Sequence, residues 1–234
     1  WARLFGVGIV ETEEDFGALG SAPTNPALLD YLAAEYRDNG WSLKKLIRTI
    51  VLSDAYRQAS EVTASVREAD PRNLWQARGA RFRLSAEAIR DQALAVSGLL
   101  SAKMGGPPVM PPQPAGLWRS TYNGKSWIDA EGEDRFRRGL YTYLKRTTPY
   151  PAMTTFDGGS GEVCQIRRIR TNTPLQALAM LNDPQFVEAS RACADRLRGA
   201  QRGGPDHAGD GLGLPALAAI AVLLAACSPA PAPS

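Results

Sequence analysis

A chain of 234 residues, 44% hydrophobic and 22% charged, is long enough to bury a real core and has the balance of a globular protein. Its net charge of +3 is too small to argue for a nucleic-acid partner. One histidine, His207, and three cysteines without metal-type spacing (Cys164, Cys193, Cys227) exclude zinc sites, Cys–His nucleophile pairs, Ser–His–Asp triads and Cys-x-x-Cys-His haem attachment.

The chain opens in mid-pattern. Residues 1–10 contain Gly6 and Gly8 but no helical stripe, and read as the end of a helix begun outside the chain, followed by an acidic loop at Glu11, Glu13, Glu14 and Asp15. The two glycines make no dinucleotide fingerprint, because a third glycine and a following helix are lacking. Asn25 and Pro26 then open a helix with Leu28, Leu29, Leu32, Ala33 and Tyr36 on one face and Gly40 as its stop. Ser42 caps the next, with Leu43, Leu46, Ile47, Ile50 and Val51 as its stripe and Lys44, Lys45 and Arg48 opposite. The short loop predicts an antiparallel pair, and both stripes read as core rather than binding surface.

Asp70-Pro71 predicts a short helix through Leu74 and Trp75, and Ser85 a longer one over residues 85–100 with Ile89, Ala93, Val96 and Leu100 on one face. Arg78, Arg81, Arg83 and Arg90 make this connection basic. The prolines of residues 105–114 rule out helix and central strand. They predict either a fixed crossing segment within the domain, with Trp118, Tyr122 and Trp127 beyond it, or a PxxP ligand. Residues 139–145 fit a strand or a short helix, and residues 147–162 read as one long loop of the kind that often carries function.

Between Arg135 and Arg170 eight cations face two acids, Asp157 and Glu162, so this segment is net +6 and the rest −3. Such a field suits an anionic partner, or a solvated face whose arginines pair with acids elsewhere. It leads into the strongest start signal in the chain. Thr173 can N-cap a helix with Pro174 at its first position and Gln176 completing a capping box. Asp183 and Pro184 then start another, along which Phe186, Ser190, Cys193 and Leu197 recur at helical spacing. Residues 199–213 are a Gly-rich linker. Residues 214–234 are an apolar, lipobox-like tail too short to span a bilayer, which reads as a misjoined or disordered end, or as a weak anchor.

Four phrases together carry a family resemblance: residues 4–17 (LFGVGIVETEEDFG), Lys103-Met-Gly-Gly-Pro-Pro with Gly116-Leu-Trp118, Arg138-Gly-Leu-Tyr-Thr-Tyr-Leu-Lys-Arg146, and Arg167-Arg-Ile-Arg-Thr-Asn-Thr-Pro-Leu-Gln followed by Leu181-Asn-Asp-Pro-Gln-Phe-Val187. Over about residues 1–198 the chain resembles the planctomycete-specific domain of unknown function found in large exported proteins, alongside planctomycete cytochrome c-type domains. Thr24-Asn25-Pro26 stands where that family more often has Ser-His-Pro. The resemblance implies a mainly α domain, truncated at both ends, with long irregular Pro/Gly-rich connections and at most a minor β element. It implies an extracytoplasmic setting (periplasm or cell surface), haem only in domains outside this chain, and no established activity.

Two functional readings follow. The first is a binding or scaffold module of a multidomain exported protein. Arg138, Arg167, Arg168, Arg170 and Asn172, with the interleaved aromatics, would then meet an anionic polysaccharide, a c-type cytochrome or the parent's other domains. The second is a polysaccharide-degrading enzyme using Asp157 and Glu162 as its acid/base pair, against which stands their use as ion-pair partners of the arginines. A redox role for Cys164, whose basic neighbourhood would lower its pKa, is the weakest reading. No metal site is expected, and whether the chain associates with a membrane is left open.

Overall fold

The computed structural model describes residues 1–117, 126–159, 161 and 164–202. Trp118, Tyr122, Glu162, His207, Cys227 and everything beyond residue 202, which includes most of the linker and the whole apolar tail, lie outside the described residues. The protein is mainly helical, and the one β feature among the described residues is an isolated parallel bridge between Val109 and Thr142. The chain divides into two compact units, Trp1–Phe82 and the part from Arg83 onward.

In the first unit, helix α1 (Ala2–Phe5) ends at Gly6, whose φ of 81° is left-handed and open to glycine without strain. The Trp1 ring stacks on Phe5 at 4.1 Å, and Tyr56 meets Phe5 edge-on. Helix α2 (Pro26–Asp38) starts as its sequence predicts, with the Asn25 side chain accepting from the Leu28 N–H at 3.0 Å. Helix α3 (Leu43–Leu52) packs against it, though Ser42 makes no side-chain cap bond. The expectation that both stripes are core is corrected here. No residue of α2 is buried, and on α3 only Ile50 is, while Leu43 and Ile47 are exposed.

Helices α4 (Asp54–Arg57, capped by Ser53) and α5 (Ala64–Ala69, capped by Thr63) follow. The helix expected to begin at Asp70 is absent; α5 ends there instead. The Asp70 carboxylate accepts from the N–H groups of Leu74 and Trp75, both at 2.8 Å, and Asn73 and Gln76 have left-handed φ of 53° and 57°. An aspartate that would cap a helix has closed a turn by the same chemistry.

The second unit is built on helix α6 (Ala86–Ser97), which starts at the Ser85 hydroxyl and stops at Gly98 with φ 78°. Its buried positions, Ala86, Arg90, Ala93, Leu94 and Ser97, share one face at helical spacing. Against it pack helices α7 (Pro151–Thr155) and α9 (Pro184–Arg202), while α8 (Pro174–Asn182) packs on α7 and α9. The core is Ala86, Ala93, Phe156, Phe186 and Ala189, with the two phenylalanine rings edge to face at 5.6 Å. Small residues on α6 and α9 let the helices approach while two large rings fill the space between.

Two ambiguous stretches are resolved. The expected long loop contains α7, begun by Pro151 at its first position and anchored by buried Tyr150, Ala152 and Phe156. Residues 139–145 are part 3₁₀ turn (Gly139–Tyr141), part strand-like: Tyr141 and Tyr143 exchange backbone hydrogen bonds with Val109 at 2.8 and 2.7 Å. Gly139 is buried directly against α6, where a Cβ would lie 2.9 Å from the Glu87 Cα.

Candidate functional site

The capping box at the start of α8 forms as predicted. The Thr173 hydroxyl accepts from the Gln176 N–H at 3.4 Å, and the Gln176 side-chain oxygen accepts from the Thr173 N–H at 3.2 Å. Gln176 does more than cap. It is 1% exposed, and its amide nitrogen donates to the Thr155 carbonyl at 2.9 Å and the Asp157 carboxylate at 3.2 Å, joining α8 to the end of α7.

Asp157, the described member of the candidate acid/base pair, belongs to this junction. Its carboxylate accepts from the Thr171 N–H at 2.7 Å and the Thr171 hydroxyl at 2.9 Å, besides Gln176. Its backbone has φ 61°, a left-handed conformation that Asp and Asn tolerate better than most residues. None of its hydrogen bonds among the described residues goes to an arginine, so the expected pairing with the cluster is not made at this position.

The arginines spread out. Arg168 reaches Glu87 in the first turn of α6 at 2.7 Å, and Arg170 donates to the Arg83 carbonyl at 2.7 Å. Arg83 in turn donates to the Asn172 side-chain oxygen at 2.8 Å, with its guanidinium 5.9 Å from the Phe156 ring centroid. Arg168, Arg170 and Asn172 thus gather at the start of α6, largely spent on protein groups. Partial burial pushes the Glu87 carboxyl up, but the Arg168 bond, its own backbone N–H and the Ser85 hydroxyl outweigh this and hold it below its usual range. Arg167 and Arg138 are exposed, without a side-chain partner among the described residues.

Further along, the basic field is structural. Arg137, 1% exposed, donates to the carbonyls of Pro107 (3.0 Å) and Gly105, and its guanidinium lies 3.8 Å from the Tyr141 ring centroid. The Trp127 indole donates to the Pro111 carbonyl at 2.9 Å and the Tyr150 hydroxyl to that of Pro112 at 2.7 Å, with the two rings stacked at 5.4 Å. Prolines cannot join a ladder, so side-chain donors satisfy their carbonyls. The crossing-segment reading is therefore the one realised, and Trp127 and Tyr141 serve it.

Sequence reasoning missed Arg90 and Asp183 as buried charged groups. Arg90, 3% exposed, donates to the Gln185 side-chain oxygen and to the carbonyls of Arg135 (2.9 Å) and Arg137 (3.3 Å). Burial lowers its pKa and raises that of Asp183, whose carboxylate caps α9 by accepting from the Gln185 N–H at 3.0 Å. Burial likewise raises the Tyr150 phenol. The signal for Arg90 was present: it falls four residues after Ala86 and three before Ala93, on the core stripe of α6.

An open groove of about 420 Å³ lies beside α9, lined by Arg135, Asn182, Pro184, Val187, Glu188 and Arg191, and crossed by the Arg135–Glu188 ion pair at 2.9 Å. Among the described residues, no three His, Cys, Asp or Glu side chains gather as a metal ion would require. Cys164 is exposed and Cys193 is buried on the core face of α9. The run that leads into and along α8 leaves its large apolar side chains in solvent: Ile166 (61% exposed), Ile169 (80%), Leu175 (61%), Leu178 (56%) and Leu181 (74%).

No curated protein and no solved structure matches the chain. A family model does, over residues 1–230, with the Arg138–Arg146 phrase, the 3₁₀ turn it forms and the capped α8 all inside the match. The chain belongs to the family PSD1, proteins of unknown function (DUF1553).

Proposed function

We propose that this domain is a binding or scaffold module of a larger exported protein, and that it docks a folded protein partner: a c-type cytochrome or another domain of its parent. The observation that carries this reading is the exposed run of Ile166, Ile169, Leu175, Leu178 and Leu181 beside unpaired Arg167. Large apolar side chains exposed at successive turns of a helix, next to a cation, suit an interface with an apolar centre and an acidic rim better than a hydrated glycan. An anionic polysaccharide has less to hold. Arg168 and Arg170 are engaged with protein groups, and Trp127 and Tyr141 serve the proline segment.

The hydrolase alternative gains no support from Asp157, whose oxygens are taken up by Thr171 and Gln176. The test is binding of the full chain to a c-type cytochrome and to an anionic polysaccharide, by calorimetry. The expected result is cytochrome binding that Leu175→Ser with Leu178→Ser abolishes and Arg167→Ala weakens. Polysaccharide binding indifferent to the leucines would transfer the reading to a glycan, and polysaccharide cleavage would end it.

A further inference from the structure

We propose that α3 is a peripheral membrane-contact element that lays its exposed apolar edge into an anionic lipid surface. This rests on the first unit alone and is independent of the reading above. Helix α3 reads Leu-Lys-Lys-Leu-Ile-Arg-Thr-Ile-Val-Leu, with three cations and no acid. Ile50 is buried toward the protein, which leaves Leu43 (59% exposed) and Ile47 (41%) on the outer edge of the apolar face, one turn apart. Lys44 and Arg48 follow them on the wheel at the next helical positions, and both are exposed, as is Lys45.

Trp41 supplies a second, separate observation. It precedes the Ser42 cap position of the helix, is 66% exposed, and has a left-handed φ of 59° just after Gly40 at 67°. Its N–H closes the end of α2 on the Tyr36 carbonyl at 2.9 Å, and its ring stands edge-on to Tyr36 at 5.2 Å. Glycine or asparagine would fill this left-handed position without strain. The chain instead places there the side chain best suited to the boundary between headgroups and acyl chains.

Amphipathic character, cations flanking the apolar edge and an interfacial tryptophan are the ingredients of a helix that lies on a membrane, not one that crosses it. Among the described residues no helix is long and apolar enough to cross. Of the three acids of neighbouring α2, Asp38 is paired with Arg37 at 2.8 Å, while Asp30 and Glu35, which accepts from the neutral Asn39 amide at 2.8 Å, keep their charge; α3 itself carries three cations and no acid. Charge complementarity therefore selects an anionic over a zwitterionic bilayer.

The test is sedimentation of the full chain with phosphatidylcholine vesicles with and without phosphatidylglycerol, over a salt series. Binding is expected only with the anionic lipid and should fade as salt rises. Lys44→Glu with Lys45→Glu and Arg48→Glu should weaken it about a hundredfold. Leu43→Ser with Ile47→Ser should weaken it about tenfold, with little change in melting because these side chains are exposed. Trp41→Phe should remove the blue shift of emission on binding. Should either multiple variant fail to fold, Lys45→Glu alone and the Trp41→Phe emission carry the test. A folded chain that ignores anionic vesicles overturns the proposal, as do α3 variants that bind like the wild type, which would move the contact to residues such as 214–227. Capture of an acidic peptide helix without vesicle binding would make the patch a protein-docking site instead.

Discussion

Asp157 and Thr171 are joined twice over: one carboxylate accepts both the backbone N–H of Thr171, at 2.7 Å, and its hydroxyl, at 2.9 Å. This clasp holds the residue after α7 against the segment that starts α8, and buried Gln176 closes it from the other side. Asp157→Ala should lower unfolding free energy by about 2–3 kcal/mol, since it orphans charge-assisted donors and leaves a β-carbon at positive φ. Asp157→Asn should cost less, because Asn keeps an acceptor and tolerates the backbone. Urea denaturation measures both. A catalytic Asp157 would show the reverse: activity lost in both variants with melting unchanged.

Arg137 belongs to the architecture of the proline segment. Arg137→Met would strand the Gly105 and Pro107 carbonyls and remove the cation from the Tyr141 ring, at a cost of about 3–5 kcal/mol. Arg137→Lys should recover only part of this, because an ammonium cannot reproduce the two-pronged guanidinium. Thermal melts should show the order wild type, Lys, Met.

Gly139 tests close packing in the same region. A methyl group there would press on the Glu87 backbone of α6, 2.9 Å from its Cα and 3.0 Å from its carbonyl oxygen. Neither atom is a flexible side-chain end. Gly139→Ala should therefore destabilise by about 1–3 kcal/mol, whereas Gly132→Ala, with nothing near the new carbon, should lose only what its φ of 57° costs.

Two carboxylates give opposite pH signatures. Asp183 has a raised folded-state pKa because burial penalises its charge, so its unfavourable contribution is full above that pKa and fades as pH falls through it toward the unfolded value. Asp183→Asn keeps the cap without the charge and should gain stability at neutral pH, with the gain shrinking on acidification. Glu87 has a lowered folded-state pKa, so its contribution is present above the unfolded value and is lost as pH falls through the folded one. Arg168→Ala should remove that acid-side loss at a cost below about 1 kcal/mol at neutral pH, since the pair is partly exposed. Urea midpoints across acidic pH separate the two.

The sequence by itself determined four helix starts and the family. Asn25-Pro26, Ser85, Thr173-Pro174-x-Gln176 and Asp183-Pro184 announce their helices because caps and first-turn prolines act within a few residues of themselves. The mainly helical class follows from the same local signals. Where a local signal has two uses, the sequence misled: Asp70-Pro71 serves a turn as well as a helix start, and Pro151 begins a helix inside what read as loop.

Only the tertiary structure decided what the charges do. Arg90, Arg137 and Arg168 look alike in the sequence, yet the first two are buried donors to backbone carbonyls and the third closes a surface ion pair. Asp157 reads in the sequence as an acid/base candidate, and in the fold its carboxylate accepts from Thr171 and Gln176. Conversely, the stripe of α3 read as core, and the fold left Leu43 and Ile47 in water. Cap and turn signals are local, but the partner of a long charged side chain and the cover over an apolar face are chosen by elements tens of residues away, brought together only when the helices pack.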